Sequence, residues 1–206
     1  MTMRYAIGIC LILALLAVGY VRIRQPYPEK HTFVLEVERP DEAMAPALAP
    51  SVSVRPFTIS PRYESGQLVY RRDELAYTTD YYNVFLISPE RMIAEQAREW
   101  LADTGLFEHV LPASSHIVPM YILEGNVVRL YGDLREPKHP EAVLAIEFIL
   151  IRNGLSSDVA LQKSVLKRVE VEDSTAESIV KGLADALGRT LQEFEANLRQ
   201  SLRDSN

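Results

Sequence analysis

The chain alternates between two periodicities, and the change from one to the other divides it into elements. Val52 and Val54 alternate with Ser51, Ser53 and Arg55 in "SVSVRPFTI" (51–59). That is period two and predicts a strand, with Pro56 marking an edge or a bulge. "HTFVLEV" (31–37) is a shorter strand candidate. "QLVYRR" and "ELAYTT" read as two strands around a charged turn, and "YYNVFLI" (81–87) as another.

The period then becomes helical. "SPERMIAEQAREWLADTG" (88–105) places Ile93, Ala97, Trp100 and Leu101 on one stripe, with Glu95, Arg98, Glu99 and Asp103 facing away. Ser88 and Pro89 suit the first positions of a helix. Gly105 suits its left-handed stop, with Leu106 and Phe107 folding back as the closing hydrophobic contact.

Three long strand candidates follow: 120–134, 141–152 and 159–172. The middle one, "EAVLAIEFILIR", is apolar on both faces apart from Glu147, which predicts a central position. The third is polar on one face through Gln162, Ser164, Arg168 and Glu170, so that side is expected to meet water. A second helix is predicted from Ser174, with Ser174 and Glu177 as a capping box. Its stripe of Val180, Leu183, Leu187, Leu191, Phe194 and Leu198 continues almost to the chain end. At 1.5 Å per residue that helix is roughly 40 Å long. This exceeds the expected sheet width, so its last turns are expected to overhang.

The order is β-β-β-β-β-α-β-β-β-α. Two amphipathic helices must bury their stripes on one face of a mostly antiparallel sheet. The predicted fold class is α+β, a two-layer sandwich with an N-terminal membrane anchor.

The anchor is read from residues 1–25. Tyr5 to Val21 is a 17-residue run without charge, closed by Arg22 and Arg24. No polar face exists for it to present to water, so export or membrane anchoring is expected. A cleaved signal and a retained anchor both fit, and the anchor is favoured. Cys10 lies inside the run and is preceded by Ile9, so it is not an expected lipidation site. Residues 26–206 form the folded domain, with "RPDEAMAPALAPS" (39–51) as an extended, proline-rich connector.

Composition narrows the function. The folded domain carries 19 basic against 28 acidic residues and has no basic stripe, which argues against a nucleic-acid partner. One cysteine excludes an internal disulfide framework. His31, His109, His116 and His139 are scattered without ligand spacing, and no metal or cofactor is expected. The nine glycines form no phosphate loop, and neither HExxH, GxSxG nor CxxC occurs. Glu147 is the one carboxylate in an apolar strand, and pairing or an edge position is its ordinary explanation. No enzymatic activity is expected.

One stretch does not fit a plain strand. "YRRDELAYTTDYYNVF" (70–85) carries Tyr70, Tyr77, Tyr81, Tyr82 and Phe85 among charged residues. Some of these rings must pack under Trp100 and Leu101. The others would suit a protein-contact surface, because a rigid amphipathic ring buries area at low entropy cost. With Phe194 and Leu198 at the expected helix overhang, they make up the candidate partner-binding set.

The linear order of these pieces resembles a known family. A strand ending "VRPF" is followed by "SP", "LVYRR", an aromatic-rich strand, and "SP" opening a helix that ends "WLADTGLF". "YILEGNVVRLYGD", "AVLAIEFIL" and a long closing helix come next. Over residues 31–200 this is similar to the ABC-type transport auxiliary lipoproteins, which include the paraquat-inducible lipoprotein. The resemblance implies a non-catalytic periplasmic accessory subunit of an MCE-type ABC system moving lipids across the Gram-negative envelope. It implies as partners the MCE-domain protein and the ABC permease and ATPase, with a second copy of the chain as a further candidate. The departure is the lipobox cysteine, missing from its usual place. An inner-membrane anchor with a periplasmic domain is therefore expected, and an outer-membrane lipoprotein or a soluble periplasmic protein is the alternative. A periplasmic lipid-binding carrier and an envelope-assembly regulator are the competing functions. An apolar cavity of several hundred Å³ would mark the carrier.

Overall fold

The computed structural model describes residues 29–40, 46–154 and 157–204. The proposed anchor and Cys10 lie outside them, as does the middle of the proline-rich connector. Among the described residues no helix is long and apolar enough to cross a membrane.

The fold is an α+β sandwich. Among the described residues nine strands form one sheet: β1 (His31–Phe33), β2 (Ala49–Val54), β3 (Thr58–Ile59), β4 (Gln67–Arg71), β5 (Tyr77–Phe85), β6 (Phe107–Pro112), β7 (Tyr121–Asp133), β8 (Glu141–Arg152) and β9 (Asp158–Glu170). Two helices, α1 (Pro89–Thr104) and α2 (Ala176–Asp204), pack on one face.

β7 organises the sheet. One edge pairs antiparallel with β8 over its whole length, and β8 pairs antiparallel with β9. The other edge of β7 is tiled by three short parallel strands in succession: β2 opposite Tyr121–Leu123, β3 opposite Asn126–Val127, β4 opposite Gly132–Asp133. β6 joins outside β2, β5 outside β4, and β1 outside β5. The long ladders are the antiparallel ones, as expected.

Several details differ from the sequence expectation. Leu106 and Phe107 are buried, but Phe107 starts β6 and pairs with Ala49, so it does more than fold back on the helix end. β2 is no edge strand: it lies between β6 and β7, and Pro56 falls in the gap between β2 and β3. Residues 77–79 of "ELAYTT" and 81–85 of "YYNVFLI" belong to a single strand, β5. Helix α2 is capped by Thr175, whose Oγ1 accepts the Ser178 N–H at 3.3 Å, one residue later than the expected Ser174 box. The α1 stop is as expected, with Gly105 at φ 66°.

The end of α2 does not overhang. Phe194, Leu198 and Leu202 are each at most 2% exposed. The helix runs antiparallel along β9, from Gly182 against Val171 to Ser201, whose hydroxyl bonds the Ala160 carbonyl at 3.0 Å. β8 and β9 have 12 and 13 residues. At about 3.3 Å per residue they are as long as the helix. The relevant dimension is the length of this hairpin, not the width of the sheet.

β8 is buried on both faces over its first half, with Val143 fully buried on the side away from the helices. Ala142, Leu144, Ile146, Phe148 and Leu150 are all fully buried under the helices. Phe148 stacks on Phe194 with ring centroids 4.2 Å apart and meets Phe57 edge-on at 6.0 Å. Glycines let these layers close. A Cβ at Gly125 would lie 2.5 Å from the Phe57 ring, and one at Gly182 would lie 2.4 Å from Val171 and 2.7 Å from Ala142.

Candidate functional site

Asp80 shapes the aromatic stretch. Opposite β4, Leu68 pairs with Asp80 but the adjoining Gln67 pairs with Val84, so Tyr81, Tyr82 and Asn83 are extra residues in β5. The Asp80 carboxylate organises them. Its Oδ1 accepts the backbone N–H groups of Tyr82 and Asn83 at 3.0 and 3.1 Å, and its Oδ2 accepts the Asn83 amide at 2.8 Å and the Tyr70 hydroxyl at 3.2 Å. Burial works against this charge, but the hydrogen bonds from Asn83 and Tyr82 outweigh it and hold the carboxyl below its usual range. The Tyr70 hydroxyl moves the other way: burial, then the Asp80 charge, raises its pKa.

A bulge re-aims side chains. Here it brings Tyr81 and Tyr82 together edge-to-face, 5.2 Å apart, while both stay exposed at 58% and 38%. Lys30 lies 4.4 Å over the Tyr81 ring, one residue before β1. Val34, Leu86 and Ile87, just beyond the ends of β1 and β5, are exposed as well.

The candidate set therefore divides. Tyr81 and Tyr82 are at the surface. Tyr77 is 37% exposed, with its ring edge-on to buried Tyr131 at 5.7 Å and flanked by Arg62 and Arg71. Tyr70 and Phe85 are buried at 6% exposure, and Phe194 and Leu198 lie on the buried face of α2. These last four are core residues, because the layers they belong to are closed over them, and they offer no surface to a partner.

Glu147 faces the helix-free side, exposed, and accepts a 3.3 Å hydrogen bond from Asn126. It lines an open depression of about 470 Å³ with Arg55, Thr58, Glu124 and Gln162, a mostly polar wall. Arg55 and Glu124 pair across it at 2.7 Å. His31, His109, His116 and His139 are exposed. His139 bonds Glu170 at 2.7 Å, and that bond raises its pKa. Among the described residues no group of three or more His, Cys, Asp or Glu side chains could hold a metal ion.

Sequence reasoning missed the polar knot at the centre of the helix layer. Residues 34–40 cross the two helices as a strap. Gln96 of α1 accepts the Val37 N–H at 2.7 Å. Arg39 then forks onto Glu195 of α2, which also accepts the Trp100 indole N–H at 2.9 Å and Arg199 at 2.6 Å. Glu195 reads as a solvent-facing helix residue, and Arg39 as part of a connector. Nothing local signals their pairing. A second ion-pair group, Asp133 with Arg135 and Arg168, closes the far end of the helix-free face. The Arg135 hydrogen bond keeps the Asp133 carboxyl below its usual range.

No protein-family model and no curated protein matches the sequence. Solved structures do match the fold. A protein of Xanthomonas campestris assigned to the family model DUF330 superposes with a TM-score of 0.70 at 12% identity, over 84% of this chain and 96% of that one. A second, uncharacterised protein gives 0.66 at 12% identity, over 82% and 99%. A hypothetical protein of Chlamydia trachomatis gives 0.51 at 8% identity, over 75% and 98%. At these identities the likeness is one of fold, and it extends over nearly the full length of each neighbour.

Proposed function

We propose that this chain is a non-catalytic accessory subunit of an MCE-type ABC transport system that moves lipids across the Gram-negative envelope. In this reading the first 25 residues hold it in the inner membrane, and residues 26–206 act in the periplasm by surface contact with the MCE-domain protein and its permease. The order of motifs over residues 31–200 supports the assignment.

The observation that carries it against the carrier alternative is the packing between the layers. Phe57, Phe148 and Phe194 fill the space where a β-sheet and two helices could otherwise part around an acyl chain. The described depression of about 470 Å³ lies on the opposite face, open and walled by Arg55, Glu124, Asn126 and Glu147. Such a wall suits water better than hydrocarbon. The apolar side chains left over are at the surface and line no cavity between the layers.

The test is affinity capture of the full chain from detergent-solubilised envelopes, with mass spectrometry of both proteins and lipids. The expected result is co-purification of an MCE-domain protein and a permease, with no stoichiometric lipid on the chain itself. Stoichiometric phospholipid retained by the chain without any transporter component would establish the carrier reading instead.

A further inference from the structure

We infer that the β1–β5 edge faces a lipid bilayer, with Tyr81, Tyr82, Leu86, Ile87 and Val34 seated at headgroup level. The inference rests on the reading of Tyr5–Val21 as a membrane-held run and adds how the folded domain lies on that membrane.

The edge is built for exposure. Three extra residues in β5 interrupt its ladder with β4, and the Asp80 carboxylate is spent on holding them out. The result is two adjacent tyrosines at 58% and 38% exposure, with Leu86 at 61% a few residues on. Tyrosine suits the boundary between headgroups and acyl chains, where its ring meets hydrocarbon and its hydroxyl meets water.

The tether selects this edge among the exposed apolar groups. Lys30 lies on the Tyr81 ring itself, so the chain reaches the domain at the patch. Only Arg22–Glu29 separate Lys30 from the apolar run. Eight residues reach at most about 30 Å when fully extended. Lys30 itself puts a cation at the rim of the patch. By contrast, Ile117, Val118 and Met120 are exposed before β7, by the β2–β6 side of the sheet, away from β1.

The experiment uses the full chain in vesicles of phosphatidylethanolamine and phosphatidylglycerol, with a fraction of the acyl chains brominated close to the headgroup. Trp100 is buried and supplies a constant background, measured on the unmodified protein. Tyr82→Trp and, independently, Leu86→Trp report the edge; Val118→Trp reports the distant patch. Each variant is first matched to the unmodified protein in melting temperature. The expected result is about twofold or more greater bromine quenching at Tyr82→Trp or Leu86→Trp than at Val118→Trp. Equal quenching at all three positions, in protein that floats with the vesicles and resists carbonate extraction, overturns the bilayer-facing edge and leaves the anchor reading standing. Protein that does not float overturns the anchor and the inference with it. Emission at Tyr82→Trp that ignores bromine but changes on adding a purified MCE-domain protein makes the edge a protein interface, and overturns the inference too.

Discussion

Arg39 grips the carboxylate of Glu195 through two hydrogen bonds, Nε to Oε2 at 3.0 Å and Nη2 to Oε1 at 2.9 Å, across 156 residues of chain. Both side chains are buried, at 3% and 7% exposure. A buried fork of this kind adds little net stability over a packed apolar pair, but breaking it strands a charge. Arg39→Ala is therefore expected to lower unfolding stability by about 3 kcal/mol. Arg199 and Trp100 remain on the carboxylate and keep the loss from growing larger. Chemical denaturation of the folded domain measures it. A loss under about 0.5 kcal/mol, ordinary for a surface change, would show that the strap is dispensable.

The same carboxylate sets a pH dependence. Burial pushes the Glu195 pKa up, but hydrogen bonds from Arg39 and Trp100 and the Arg39 charge outweigh it, so the folded value lies below the usual range. A depressed folded pKa stabilises above the unfolded value, about 4.3 for glutamate, and that contribution fades as pH falls through the folded value. Stability of the native protein should drop below about pH 4. Glu195→Gln should be less stable at pH 7 and show a shallower acid limb. Parallel acid limbs for the two proteins would contradict this.

Gly182 is a mid-helix glycine in α2, where alanine would ordinarily stabilise by about 1 kcal/mol. Here the added methyl would meet Val171 Cγ1 at 2.4 Å and Ala142 Cβ at 2.7 Å. Overpacking costs about 1–3 kcal/mol, so Gly182→Ala is expected to lower the melting temperature despite the better helix former. An unchanged or higher melting temperature would mean that α2 can lift from the β8–β9 hairpin without cost.

Asp80→Ala removes the acceptor of four hydrogen bonds in the β5 bulge. A loss of about 2 kcal/mol is expected, with faster amide exchange at Tyr82 and Asn83. Asp80→Asn removes the charge beside the Tyr70 hydroxyl. Ultraviolet titration should then find a tyrosine ionising at lower pH than in the native protein, because the Asp80 charge is the next cause of the Tyr70 shift after burial.

The division of the aromatic set is tested by pairing substitutions. Phe194→Ala empties a stacked position against Phe148 and is expected to cost about 3–5 kcal/mol. Tyr82→Ser at the exposed bulge should stay within about 0.5 kcal/mol. Similar losses at both positions would mean that the bulge is part of the core after all.

Much of this protein was legible in its sequence. Period-two and period-3.6 patterns placed the long strands and both helices, because a strand or helix with one buried face writes that face into every second or every third to fourth residue. The bounds of β8 and the αL glycine at Gly105 were read directly. So was the watery face of β9, because each is set by neighbours within a few positions. The polarity of 70–85 set it apart from a plain strand, but the Asp80 bulge that makes 77–85 one strand was not read from it.

What only the tertiary structure decided concerns partners far apart in the chain. β6 is six residues long and lies between a helix and a loop, too short for its alternation to stand out. The placing of β2, β3 and β4 end to end along β7 is a matter of register between strands of different lengths, which no single segment encodes. Whether Phe194 and Leu198 overhang or pack depended on the β8–β9 hairpin being as long as α2. Glu195 has the appearance of a surface residue along its own helix. It becomes a buried anion only because residue 39, from the other end of the chain, brings the matching charge across the helices.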